Sequence, residues 1–170
     1  MSRIEAASNV AEYLSDHFGG AEAAIELLDR LIRHEGADPD SWYVTLRAEL
    51  DLDRTVLRGL VESFGATATA PLKAASAWLA EKLTRPKLDL GDDESMGLFL
   101  SHEILALGVL GKRSLWEALR SVSADDPRLA GIDFDMLVRR ACLQHEQIEA
   151  RRLLLAARAL ASHPELRATS

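Results

Sequence analysis

Apolar residues recur every three to four positions along almost the whole chain, and no stretch alternates apolar with polar in the way a half-buried strand requires. The pattern predicts an all-α protein. A first helical segment covers Arg3 to Phe18, is interrupted by Gly19 and Gly20, and resumes from Ala21 to His34 with Ile25, Leu28, Leu31 and Ile32 on one face. Gly36 suits the left-handed turn that commonly closes a helix. The next helix opens at Asp38-Pro39-Asp40-Ser41, where a capping side chain stands beside a proline tolerated in a first turn, and runs to Phe64 before Gly65. Its stripe is Leu46, Leu50, Leu57, Leu60 and Phe64.

A shorter helix is predicted from Ala70 to Thr84, and Arg85 to Gly91 must be a loop because proline is hostile to a helix interior. A helix from Asp92 to Val122 is apolar around much of its circumference (Met96, Phe99, Leu100, Ile104, Leu107, Leu110, Leu115, Leu119), which predicts burial on more than one side. The last long helix starts at a cap on Asp133, runs through Leu160 and ends before Pro164. Four long helices with a short one before the third predict a single four-helix bundle over residues 1–165, with one crossover at 85–91 and a tail at 166–170.

The formal net charge of −7, with basic residues scattered among acidic ones, argues against nucleic acid, because binding phosphates requires a concentrated positive face. Anionic membrane surfaces are disfavoured for the same reason. No apolar run approaches the ~20 residues that span a bilayer, and the N-terminal residues lack a charged-then-apolar signal, so a cytoplasmic location is expected. The lone Cys142 excludes an internal disulfide or a cysteine-based zinc site and reads as a small core hydrophobe. Neither Gly19-Gly20 nor Gly108 to Gly111 has the strand-to-helix setting of a phosphate-binding loop.

The segments Leu52-Asp53-Arg54-Thr55-Val56-Leu57-Arg58-Gly59-Leu60-Val61-Glu62-Ser63-Phe64-Gly65, Ala70-Pro71-Leu72-Lys73-Ala74 and Ser101-His102-Glu103-Ile104-Leu105-Ala106, in that order, resemble the bacterial YciF-type branch of the ferritin-like superfamily. The resemblance implies a ferritin-like bundle whose central layer holds two metal ions, bound by a glutamate from each of two helices and a Glu-x-x-His pair from each of the others. This chain departs from that pattern. It contains no Glu-x-x-His, and its last helix reads His145-Glu146-Gln147-Ile148-Glu149 instead.

Five polar residues fall on apolar stripes. Glu103 is flanked three and four positions away by Phe99, Leu100, Ala106 and Leu107, and is expected inside, where a carboxylate must bind a metal, pair with a base or be held by hydrogen bonds. His145 and Glu149, four apart, share a stripe with Val138, Cys142 and Leu153, and Glu49 and Asp53 repeat that spacing on the second helix. Together with a contribution from Glu22 or Glu26, these residues could form an acidic, histidine-poor centre suited to iron or manganese. Equally, arginines such as Arg54 or Arg152 could reach in and neutralise it, leaving no cofactor at all. His102 is expected to border the core. Trp42, Trp78 and Trp116 read as packing or interface anchors.

Three functions are compatible with this reading: a non-catalytic ferritin-like bundle in a structural or stress-associated role, a di-metal protein handling iron, manganese or peroxide, and a binding module for an apolar ligand or partner helix. The broad apolar circumference of the Asp92–Val122 helix, with Trp78 and Leu79, also predicts a homodimer.

Overall fold

The computed structural model describes residues 3–36, 38, 40–65 and 94–161, with side chains from residue 9 onward. Four helices hold nearly all of them: α1 Arg3–His34, α2 Trp42–Ser63, α3 Glu94–Val122 and α4 Phe134–Ala159. No strand occurs among the described residues, as the periodicity predicts. The short helix expected at 70–84 and the loop at 85–91 lie outside them.

Local chemistry sets the ends. Ser41 caps α2 by accepting a hydrogen bond from the Tyr43 amide at Oγ (3.2 Å), and Asp133 caps α4 by accepting from the Met136 amide at 2.8 Å. Gly36 and Gly65, just past α1 and α2, adopt φ of +90° and +72°, the left-handed conformation that only glycine enters without steric cost. Between α3 and α4 the chain makes a 3-10 turn at Pro127–Leu129, capped by Asp126, and Gly131 (φ +80°) redirects it into α4.

One expectation is overturned here. Gly19 and Gly20 do not interrupt α1, which runs through them as a continuous helix. A helical glycine costs only about 1 kcal/mol relative to alanine. The flanking Leu14, Phe18, Ile25 and Leu28, all buried, offset that, since burying one such side chain contributes about 2 kcal/mol.

Each helix buries one stripe in a common core: Leu14, Phe18, Ile25, Leu28 and Leu31 from α1; Leu46, Leu50, Leu57, Leu60 and Val61 from α2; Leu105, Val109, Leu115, Trp116 and Leu119 from α3; Phe134, Leu137, Ala141 and Ile148 from α4. Cross-helix pairs fix the directions. Arg47 meets Asp29 (2.6 Å) and Arg54 meets Glu22 (2.8 Å), so α1 and α2 are antiparallel. Glu103 lies near Arg152 (3.7 Å) and Arg120 near Asp135 (2.8 Å), so α3 and α4 are antiparallel too. Tyr43 pairs with His102 and Asp53 with Lys112, both numbers advancing together, so α2 and α3 run parallel.

A charge-compensated centre and an adjoining cavity

The stripe of α2 passes through Asp53, only 2% exposed. Around it α3 and α4 converge. Lys112 Nζ donates to Asp53 Oδ2 and to Gln144 Oε1, both at 2.5 Å, and the Arg140 guanidinium holds the other carboxylate oxygen, with Nε at 2.9 Å. Gln144, also buried, uses its amide to donate to Glu49 Oε2 at 2.8 Å. Two carboxylates, one ammonium and one guanidinium thus form a chain with no net charge. Burial pushes the Lys112 ammonium below the usual lysine range, and the adjacent Asp53 pulls in the opposite direction.

Sequence reasoning placed Glu49 and Asp53 near the centre but passed over Lys112, Arg140 and Gln144. The signal for two of them was present. Lys112 interrupts the core series Leu105, Val109, Leu115 and Leu119, and Gln144 interrupts Leu137, Ala141 and Ile148. A polar residue on an otherwise apolar stripe is the pattern that singled out Asp53.

The remaining candidates lie elsewhere. Glu103 is not inside: its side chain is 40% exposed. Of the apolar neighbours that suggested burial, Phe99 and Ala106 are buried but Leu107 is 47% exposed, so Glu103 stands at the edge of the buried face. Arg152 bridges Glu103 and Glu149, donating to Glu149 from Nε at 2.7 Å and from Nη2 at 2.6 Å and holding that carboxyl below its usual range. Nine residues separate Glu103 from Lys112 on α3, about 13 Å along a helix axis, so the two carboxylate clusters occupy different levels. His145 is half-buried on α4, as is Cys142, which is not the core residue its stripe suggested. Glu22 is bound by Arg54 and Glu26 by Arg30. Among the described residues, no three His, Cys, Asp or Glu side chains converge to hold a metal ion.

A second polar cluster closes one end of the bundle. His102, fully buried, places Nδ1 2.8 Å from the Leu98 carbonyl and Nε2 3.2 Å from the Tyr43 hydroxyl. A carbonyl only accepts, so Nδ1 carries the proton and Nε2 accepts from Tyr43, which defines a neutral imidazole. Burial holds His102 below the ordinary histidine value, and Arg151, seated over the Trp42 ring at 4.2 Å, adds to the effect.

Beside the Asp53–Lys112 pair lies a cavity of about 70 Å³ walled by α1, α2 and α3. Its surface is mostly apolar (Ala21, Ala24, Leu50, Leu57, Val109, Leu115), and His17, Asp53, Arg54, Lys112 and Trp116 also line it. Gly20 and Gly108 are among its lining residues, and a Cβ built on either would meet nothing within 4 Å. Arg54 Nε and Trp116 Nε1, on two of the lining residues, are themselves buried from water-sized contact and have no hydrogen-bond partner among the described residues.

No known family matches the chain, nor does any curated protein or solved structure. None of the described helices is long and apolar enough to cross a membrane.

Proposed function

We propose that the protein is a non-catalytic bundle of ferritin-like arrangement, in a structural or stress-associated role, in which protein cations take the place that metal ions hold in di-metal relatives of that fold. The observation supporting this is the Lys112 ammonium seated between Asp53 and Gln144. The Asp53 carboxylate already accepts three hydrogen bonds from an ammonium and a guanidinium, and bringing a divalent ion to it would place that ion beside two positive charges. The donor set therefore does not fit a di-metal centre. Two antiparallel hairpins with the second and third helices parallel is the order that a bundle with one long crossover needs, and it supports the ferritin-like part of the reading.

The test combines metal analysis with thermal unfolding. Protein purified without added metal or chelator is expected to hold no stoichiometric iron or manganese, and chelator should leave its melting temperature unchanged. Asp53→Asn should cost about 3–5 kcal/mol, because it leaves buried cations without their counter-charge. Glu103→Gln, on a half-exposed pair, should cost about 1 kcal/mol or less. One or two ions per chain, with Glu103→Gln destabilising only when metal is present, would sink the proposal in favour of the di-metal alternative.

A further inference from the structure

We infer that the cavity between α1, α2 and α3 is a binding site for an uncharged, wholly apolar molecule of about three heavy atoms, the size of propane. Protein interiors interdigitate so closely that few voids exceed a single water. A space of about 70 Å³ is several times that, and its wall is mostly apolar, with Leu50, Leu57, Val109 and Leu115 among the residues that form it. Two glycines border it. Gly20 on α1 and Gly108 on α3 both stand in helix interiors, where glycine is less favourable than alanine. Nothing lies within 4 Å of where either Cβ would be, so crowding does not account for glycine at these positions. Alanine would suit both helices better, and the bulk it adds would stand in open space at the cavity wall.

The polar groups decide against water and against ions. A buried water needs two to four polar partners. Among the lining residues, Asp53 is met by Lys112 and Arg140, Lys112 by Asp53 and Gln144, and the two terminal nitrogens of Arg54 by Glu22 and Asp51. Arg54 Nε and Trp116 Nε1 are covered and out of an occupant's reach. His17 remains, and burial keeps it below the ordinary histidine value, so it adds no positive charge at neutral pH. One imidazole is too little to hold a water, and an ion would enter beside a centre whose charges already cancel. An apolar occupant leaves no hydrogen bond behind in water and gains the contacts that an empty cavity lacks. Size sets the remaining limit. Engineered cavities of about 150 Å³ take benzene, so a space of about 70 Å³ takes a molecule of roughly half that bulk.

Propane, ethanol and ethylammonium share a frame of three heavy atoms and differ only in the group at one end. Each is titrated into full-length protein carrying ¹³C-labelled methyl groups, with benzene as the control for size. Propane is expected to shift the methyl resonances of Leu50, Leu57, Val109 and Leu115 saturably and to show intermolecular NOEs to them, while the buried Leu137 and Ile148 on α4 do not follow. Ethanol should bind more weakly by about fivefold or more, because its hydroxyl finds no partner inside. Ethylammonium and benzene should show no saturable binding. Gly20→Ala combined with Gly108→Ala should raise the melting temperature, as filling a cavity does, and weaken propane binding by about tenfold or more. If propane produces no saturable shift, if ethanol, ethylammonium or benzene binds as tightly as propane, or if the folded double variant binds propane undiminished, the inference fails. Should the double variant not fold, the four titrations of the unaltered chain decide by themselves. Metal content plays no part in these readouts, so this result and that of the proposed function stand or fall separately.

Discussion

His102 shows how one residue couples packing to pH. Its neutral form is fixed on both nitrogens, by the Leu98 carbonyl and the Tyr43 hydroxyl, and protonation would aim a second N–H at that hydroxyl with Arg151 nearby. The unfolded chain takes up this proton near 6.5, the ordinary histidine value, whereas the folded one does so only at lower pH. Stability is therefore complete above 6.5 and is lost as the pH falls below it; His17, shifted the same way, adds to the loss. Urea unfolding at pH 7.5 and 5.5 should show this decline, and His102→Gln should make it shallower. An identical decline in the variant would show that the buried imidazole does not govern it.

At the scale of the helix, glycine has two opposite roles in this chain. Gly20 sits inside α1 beside open space, so Gly20→Ala should stabilise by about 0.5–1 kcal/mol through reduced freedom of the unfolded chain. Gly65, at φ +72°, should instead lose at least as much when changed to alanine. Denaturant midpoints for the two variants are expected to move in opposite directions, and movement in the same direction would discredit this account of α1. Helix ends were readable from sequence because caps and left-handed glycines act within a few residues of themselves, as Asp133, Gly36 and Gly65 do. Which apolar stripe faces the core was less readable. Leu107 has the spacing of a core residue yet is exposed, and only the neighbouring helices decide that. Arg140 was hidden for a related reason: its partner is 87 positions away, beyond any local pattern.

For the whole molecule, the exposed Leu107 and Leu110 on α3 support the proposal that two copies associate through this helix. Light scattering at tens of micromolar, roughly the range that retains weak dimers, should return twice the chain mass. Leu107→Glu combined with Leu110→Glu should return a folded monomer, and a monomeric unaltered chain would end the proposal. The parallel course of α2 and α3 has a further consequence, for folding. Each hairpin closes through a short link, but Asp53 meets Lys112 and Arg140 only when the two hairpins dock, so the ionic centre is expected to assemble last. Until then, one hairpin presents a bare aspartate and the other two bare cations. A second chain in the same condition offers the same complementary halves, and the 28 residues between Gly65 and Glu94 allow reach. Domain swapping, with the α3–α4 hairpin of one copy completing the centre of another, would then satisfy every buried charge as well as the monomer does.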